Sequence, residues 1–305
     1  MEPCEYKPVS IVSESASPPI ECDEAGGGTP PWSDTPTASI AKEIIQPPAI
    51  APGVLRAASA LLEDAIPEAI LTWALGEFGD RIAIATGFGP EGVALIDIAS
   101  KVSRKTSAGL NVFFLDTGFL FPETYRLRDQ IERRYGLRIR AYRTSLTPDL
   151  QNQHYGSNLW LRDPDLCCRL RKIEPLKDAL AGVSVWVTGI RRDQTPDRAR
   201  AGVLEWDHRY QLVKLNPFAS QTRGEVWEYI RRNGVPYNPL HDRGYPSIGC
   251  SHCTRATTEG EDERAGRWPG SDKTECGLNG GGSRIYNLRM EPRPLDVKPA
   301  RRQKE

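Results

Sequence analysis

Short apolar runs alternate with amphipathic stretches through the middle of the chain, and this alternation constrains the fold most strongly. The apolar runs predict strands at 81–86, 111–115, 138–142, 183–188 and 210–215. The amphipathic stretches predict helices at 92–104, 122–135, 174–180 and 224–232. Because strands that alternate with helices form a parallel sheet with helices on both faces, the sequence predicts the α/β class. Ligands of such sheets bind beyond the carboxyl ends of the strands.

Residues 1–52 differ from the rest of the chain in composition. They contain 10 of the 25 prolines, a glycine triplet at 26–28, and 8 acidic against 2 basic residues. A segment of this composition buries too little apolar surface to offset the entropy that it loses on ordering. We therefore predict a disordered, Pro-rich acidic arm over residues 1–52, followed by a folded domain over residues 53–270.

The overall charge and cysteine content exclude several classes of protein. Lys plus Arg and Asp plus Glu each number 40, and this balance argues against a nucleic-acid-binding protein. No run of 18 apolar residues is present, so we expect no membrane span, and no secretion signal is visible. Seven cysteines, an odd number, are not typical of a secreted disulfide scaffold. The chain is therefore expected in the cytoplasm, with its thiols used for metal binding or for chemistry.

Two turns that follow predicted strands are suited to a nucleotide. In TGFGPEG, Gly87 and Gly89 flank Phe88 and let the backbone approach a ligand closely. The helix that follows presents free N–H groups to a phosphate or sulfate. In LDTGFLFPETY, after the second strand, Asp116 and Thr117 can hydrogen-bond a ribose or a base. Either pattern can also belong to a purely structural turn.

Four of the seven cysteines form two pairs. Cys167 and Cys168 are adjacent, whereas Cys250 and Cys253 have C-x-x-C spacing. Four thiolates suit either a zinc ion or an iron–sulfur cluster. The adjacent pair can reach one centre only if the backbone bends sharply there or if both thiols lie at the start of a helix. The spacing alone leaves zinc and an iron–sulfur cluster open.

Several basic residues follow the strands and the cysteine pairs, and they can converge on one anionic ligand. Arginine forks suit phosphate and sulfate geometrically. The residues that we single out are Lys172, Arg191, Arg264 and Arg267. Cys276, in KTECGLN, stands apart from the two cysteine pairs. It is a candidate nucleophile, since nearby cations activate a free thiol.

These pieces, in this order, resemble the assimilatory sulfonucleotide reductases, which reduce adenylyl sulfate or its 3′-phosphorylated form to sulfite. The resemblance covers about residues 70–280. Its most specific parts are LDTGFLFPETY, CCRLRKIEPL, GIRRDQTPDRA, NPLHDRGYPSIGCSHCTR, ERAGRW and KTECGL. It implies a Rossmann-like parallel sheet of the PP-loop adenine-nucleotide type. Chains with both cysteine pairs are similar to the class that holds one [4Fe-4S] cluster and typically acts on adenylyl sulfate.

The resemblance also implies roles for single residues. The cluster ligands would be Cys167, Cys168, Cys250 and Cys253. The substrate contacts would be Gly87, Phe88, Gly89, Asp116, Thr117, Lys172, Arg191, Arg264 and Arg267. The Cys276 thiolate would attack the sulfate sulfur and release AMP, and a separate thioredoxin would then release sulfite. Residues 271–305 would form a mobile C-terminal segment that carries Cys276.

Two departures from the family pattern keep alternatives open. Asn279 stands where the family has His, and the turn at 86–92 lacks the family's Ser-Phe start. The alternatives are a reductase for the 3′-phosphorylated nucleotide and a cluster-bearing nucleotide sensor without catalysis. The sequence also leaves open whether the chain forms a homo-oligomer.

Overall fold

The computed structural model describes residues 52–106 and 109–279. The predicted acidic arm lies outside the described residues except for Pro52, which begins the first helix. Residues 280–305 of the predicted C-terminal segment also lie outside them. The predictions that these two segments are disordered or mobile are therefore not tested.

The described residues form one six-stranded sheet in the order β3-β2-β1-β4-β6-β5. Its strands are β1 Ile82–Ala85, β2 Val112–Leu115, β3 Ile139–Tyr142, β4 Val185–Val187, β5 Leu204–Asp207 and β6 Leu212–Leu215. All five predicted strands are present and mutually parallel. The sequence pattern missed β5, which pairs antiparallel with β6 at one edge of the sheet. The predicted parallel α/β sheet is thus confirmed, with this one antiparallel edge added.

Helices precede, connect and follow the strands. They are α1 Pro52–Leu61, α2 Pro67–Phe78, α3 Pro90–Thr106, α4 Pro122–Tyr135, α5 Pro148–Tyr155, α6 Leu159–Arg162, α7 Pro164–Cys168, α8 Glu174–Ala179 and α9 Arg223–Asn233. The four predicted helices are α3, α4, α8 and α9. Gly136 and Gly234 end α4 and α9 in the left-handed conformation, as glycine after a helix commonly does. No helix among the described residues is long and apolar enough to cross a membrane.

The sheet buries apolar side chains on both faces, as expected for a parallel sheet between helices. Along β1, Ile82 and Ile84 join the larger core cluster, whereas Ala83 joins a smaller cluster with Trp186 of β4. The sheet is thereby fixed between two apolar layers. At the carboxyl edge of the sheet, a polar residue follows each of four neighbouring strands, β2, β1, β4 and β6. These residues are Thr86, Asp116, Thr188 and Asn216, all of them buried.

Candidate active site

A cleft of about 270 Å³ lies beyond the carboxyl ends of β1, β2 and β4. The turn after β1 forms one wall, where Gly87 and Gly89 line the cleft. This turn is held by Thr86, whose hydroxyl accepts a hydrogen bond of 2.9 Å from the backbone N–H of Phe88. The start of α3 therefore faces the cleft with its free N–H groups, which is a suitable environment for an anion.

Close backbone approach explains two glycines at this wall. A Cβ atom on Gly92 would lie 2.5 Å from the Thr86 hydroxyl, and one on Gly189 would lie 2.8 Å from Cβ of Glu91. Glycine is therefore required where α3 meets the strand ends. Phe88, a predicted substrate contact, is not among the residues that line the cleft, because its side chain is buried against Phe114.

The two polar residues of the turn after β2, Asp116 and Thr117, have different roles. Asp116 accepts hydrogen bonds from the Tyr125 hydroxyl at 2.7 Å and from the N–H of Gly118 at 3.0 Å, and it forms an ion pair with Arg143. Asp116 is thus occupied in holding the turn and does not line the cleft. Thr117 does line it, and its hydroxyl lies 3.3 Å from the sulfur of Cys250.

The two cysteine pairs converge beside the cleft. Cys167 and Cys168 end α7 and are followed by a turn of π-helix at Arg169–Ile173. Cys250 precedes a single 3-10 turn, Ser251–Cys253, and Cys253 ends it. All four thiols are buried and line one small cavity next to Trp268. Burial, reinforced by the neighbouring thiols, raises the pKa of Cys167 to about 12 and that of Cys253 to about 11. A free thiol therefore stays protonated here. A bound cationic centre would lower the free energy needed to ionise these buried thiols.

Arg171 lies against the four-cysteine cavity with one donor unused. Its Nε donates to Gln151 at 2.6 Å, its Nη1 donates to the carbonyl of Thr117 at 2.7 Å, and its guanidinium lies 4.3 Å from the Phe119 ring centre. Its Nη2 is buried and has no hydrogen-bond partner among the described residues. Leaving a buried donor unpaired costs free energy, so this atom fits a sulfur-rich acceptor in the cavity. No three His, Cys, Asp or Glu side chains in the described ranges are arranged as a preformed shell for a single metal ion.

Aromatic rings cover the outer side of the same cavity. Trp160 stacks on His252 with ring centres 4.1 Å apart and an angle of 12° between the rings. Phe119 meets both rings edge-on. The C-x-x-C turn is tied to the Phe119 carbonyl by the backbone N–H and the hydroxyl of Ser251, at 2.8 and 3.1 Å. These rings help to keep the four sulfurs away from solvent.

Cationic side chains line the same cleft as the glycine-rich turn. Three of the predicted anion contacts, Lys172, Arg264 and Arg267, are present there. The Nε atoms of Arg264 and Arg267 are buried without a hydrogen-bond partner in the part of the chain that the structure describes. Buried guanidinium donors of this kind are satisfied by an anion, and the forked geometry suits phosphate and sulfate.

Arg191 is not brought into this cleft. Its side chain is fully buried, and its guanidinium contacts three carboxylates: Glu91 at 2.7 Å, Asp193 at 2.6 Å and Glu263 at 3.4 Å. It joins the start of α3 to the loop after β4, and it is not among the residues that line the cleft. Arg198, seven residues later, lines the cleft instead. Both arginines lie in the GIRRDQTPDRA segment, and nothing in the sequence indicates which of them faces the cleft.

Cys276 lies in the cleft and packs against the group formed by Cys168, Cys250, Cys253 and Trp268. Its segment has no regular secondary structure and is held by side chains of the body, among them Arg198 at Glu275. Burial raises the pKa of the Cys276 thiol, but the ammonium of Lys172 and the backbone N–H of Leu278 lower it by more, so the pKa lies below its usual value. The thiol is therefore disposed to act as a thiolate.

Comparison with known proteins identifies the family of this chain. Residues 81–256 match the family described as the phosphoadenosine phosphosulfate reductase domain, which is more than half of the chain. The chain belongs to this family. The resemblance predicted from the motifs, the fold class and the oxidoreductase class are thereby confirmed.

The alignments with curated relatives span most of the length of each relative. The chain is 47% identical over 220 residues to a phosphoadenosine 5'-phosphosulfate reductase of Gloeobacter violaceus, covering 71% of this chain and 90% of that protein. It is 46% identical to an adenosine 5'-phosphosulfate reductase of Halalkalibacterium halodurans, covering 69% of this chain and 90% of that protein. Adenosine 5'-phosphosulfate reductase 2 of Bacillus subtilis is 44% identical, with 69% and 88% covered.

A solved structure has the same fold. The phosphoadenylyl-sulfate reductase from Candida auris, crystallised as a phosphate complex, superposes with a TM-score of 0.61 at 28% identity. The superposition covers 69% of this chain and 100% of the Candida auris chain. The described residues thus carry the complete fold of that enzyme.

Proposed function

We propose that this protein reduces adenylyl sulfate to sulfite and AMP in sulfate assimilation, with Cys276 as the nucleophile. The observation that carries the proposal is the position of Cys276, inside a cleft that also holds a glycine-rich turn and unpaired guanidinium donors. The names of the relatives from Halalkalibacterium halodurans and Bacillus subtilis support adenylyl sulfate as the substrate. A reducing cytoplasm suits this thiol chemistry.

Binding rests on the two walls of the cleft. The turn at Gly87 and Gly89 and the free N–H groups at the start of α3 would hold the nucleotide. Lys172, Arg264 and Arg267 would hold the phosphate and sulfate. These cations also lower the repulsion between a thiolate and an anionic substrate, and they stabilise the charge that develops on the departing phosphate.

The reaction then takes two displacements at sulfur. The Cys276 thiolate attacks the sulfate sulfur, the bond from that sulfur to the bridging oxygen breaks, and AMP leaves with the electron pair. Cys276 is left as S-sulfocysteine, with the SO3 group bonded to its sulfur. A thiolate of a separate dithiol protein of the thioredoxin class attacks the Cys276 sulfur, and sulfite departs. The second thiol of that protein resolves the mixed disulfide, so the dithiol supplies both electrons.

We also propose that Cys167, Cys168, Cys250 and Cys253 hold a [4Fe-4S] cluster. Four buried thiols around one cavity, with the unpaired Nη2 of Arg171 against it, fit such a group. When bound, the cluster would polarise the site beside the substrate without a net redox change. The chain's own residues carry the displacements described above.

One alternative has a specific observation in its favour. The relative from Gloeobacter violaceus is named for the 3′-phosphorylated nucleotide, at an identity similar to that of the others. A nucleotide sensor without catalysis is the other alternative, and the position of Cys276 in the cleft counts against it.

A single turnover without reductant tests the proposal. Protein purified without oxygen is mixed with adenylyl sulfate, and its intact mass and modified peptide are measured. We expect a sulfite-sized adduct on Cys276 with release of AMP, and no adduct in Cys276→Ser, which should still bind nucleotide. An adduct formed only with the 3′-phosphorylated nucleotide would change the substrate. No adduct with either nucleotide, in protein that binds both, would overturn the proposal in favour of the sensor.

A further inference from the structure

The turn between β5 and β6 reaches the segment that carries Cys276. Arg209, at this turn, donates from Nη1 to the carbonyl oxygen of Gly277 at 2.6 Å and from Nη2 to the carbonyl oxygen of Leu278. One guanidinium therefore binds two consecutive carbonyl groups, which begin one residue after Cys276. This contact joins the antiparallel edge of the sheet to the C-terminal segment.

The turn itself holds the Arg209 side chain in place. The Asp207 carboxylate accepts hydrogen bonds from the backbone N–H groups of Arg209 and Tyr210, at 2.9 and 3.3 Å. It also lies 3.3 Å from Nη2 of Arg209. The guanidinium covers the Tyr210 ring at 5.2 Å from the ring centre. A planar fork fixed in this way is well suited to bind two acceptors at once.

The contact is made to backbone atoms of a segment that lacks helix or strand. Gly277 adopts a φ of +82°, so the chain turns at this point in a conformation that side chains other than glycine rarely adopt. Leu278 packs against the smaller core cluster beside Trp186. Arg209 thus fixes the peptide immediately after the nucleophile, and a displacement of about 1 Å at a reacting atom can cost roughly 100-fold in rate.

Arg209 does not belong to the cleft. It is exposed and is absent from the residues that line the cleft, whereas Lys172, Arg264 and Arg267 line it. Outside its own turn, its direct contacts are with the segment 276–278, and solvent screens the charge of an exposed guanidinium. This separates it from the residues that bind the anion.

We propose that Arg209 is a positioning residue: its clamp on the carbonyl groups of Gly277 and Leu278 holds Cys276 in line with the sulfate of the bound substrate. The inference rests on the proposed role of Cys276 as nucleophile. Loss of the clamp slows the formation of the adduct on Cys276 but leaves the binding of nucleotide intact.

The test compares Arg209→Ala, Arg209→Lys and His208→Ala by single turnover at saturating adenylyl sulfate, with nucleotide affinity measured separately. His208 is the matched control, because it lies exposed on the same turn and, among the described residues, no hydrogen bond joins its side chain to residues 276–278. We expect the rate of adduct formation to fall about 10-fold or more in Arg209→Ala, with affinity for AMP within twofold of the parent protein. Arg209→Lys keeps the charge but has a single donor nitrogen in place of the planar fork, so it should recover part of the rate. His208→Ala should match the parent.

The outcomes distinguish the clamp from the proposed function. If the parent protein forms no adduct on Cys276, the proposed function itself fails. If the parent forms the adduct and Arg209→Ala forms it equally fast, the clamp is wrong and the function stands. If Arg209→Ala lowers the AMP affinity and the melting temperature together with the rate, Arg209 has a general structural role, and the clamp is again wrong.

Discussion

Arg198 and Glu275 form a two-point ion pair next to the nucleophile. Nε of Arg198 lies 2.8 Å from Oε1 of Glu275, and Nη2 lies 2.8 Å from Oε2. Nη2 of Arg264 lies 3.5 Å from the same Oε2. Both partners of the main pair are mostly buried, and Glu275 immediately precedes Cys276. The pair therefore fixes the Cys276 segment from its N-terminal side.

Glu275→Gln should weaken this attachment in a pH-dependent manner. Burial raises the pKa of Glu275, but the Arg198 guanidinium lowers it by more, so the pKa lies below its usual value of 4.5. A lowered pKa means that the stabilisation is present above about pH 4.5 and is lost as the pH falls through the folded-state value. We expect Glu275→Gln to cost about 2 kcal/mol at pH 7, as for hydrogen bonds to charged groups.

Thermal unfolding of the two proteins between pH 7 and pH 3.5 checks this prediction. The difference in melting temperature should shrink as the solution becomes more acidic than pH 4.5. Glu228→Gln is the control, because Glu228 is exposed on α9 and should show little effect at any pH. A difference that stays constant over the whole range would contradict the role of the charged pair.

The sequence predicted the five parallel strands and the four helices α3, α4, α8 and α9, but it missed β5 and the helices α1, α2, α5, α6 and α7. Strand β5 reads Leu-Glu-Trp-Asp, and its acidic residues hide the pattern of a buried strand. It forms because it pairs with β6 and because Glu205 accepts a hydrogen bond from Asn216. The short helices α5, α6 and α7 are likewise too brief to show a helical period.

Tertiary contacts that the sequence does not reveal also give Arg191 and Arg198 different positions. Arg191 and Arg198 are chemically identical in the sequence, and both follow β4. The structure buries Arg191 among three carboxylates and brings Arg198 to the cleft. Carboxylates from distant parts of the chain, Glu91 and Glu263, decide this outcome, and no local pattern marks them as partners.

Arg191→Met should therefore act on stability. Removing one partner of a buried ion-pair network leaves the carboxylate of Glu91 buried and uncompensated, at a cost of about 3–5 kcal/mol. Arg264→Met, in the cleft, should instead weaken nucleotide binding and cost only about 1 kcal/mol of unfolding free energy, because Arg264 donates one hydrogen bond to the Thr274 carbonyl and lies at a longer distance from Glu275. Urea unfolding and equilibrium binding of AMP measure the two effects. Weaker binding by Arg191→Met with unchanged stability would show that Arg191 contacts the ligand after all.

Cys250→Ser should remove the proposed cluster. A serine hydroxyl is a poor substitute for a thiolate ligand, and the change also removes the sulfur that lies 3.3 Å from the Thr117 hydroxyl. We expect loss of iron, of acid-labile sulfide and of visible absorbance, with little turnover. Cys276→Ser is the matched control, since it should keep all three signals and lose turnover alone. Colourless and active Cys250→Ser protein would refute the cluster assignment.

Asn279→His tests the departure from the family at the end of the cleft. Asn279 lines the cleft, and its Oδ1 is buried without a hydrogen-bond partner among the residues that the structure describes. Replacing this amide breaks no observed hydrogen bond at that oxygen, and an imidazole can either donate or accept there. We therefore expect the rate of adduct formation on Cys276 to rise or to stay within about twofold of the parent protein. Single turnover with adenylyl sulfate at pH 6.5 and 8 measures this rate, and a sharp loss at both pH values would mean that the asparagine has a role of its own.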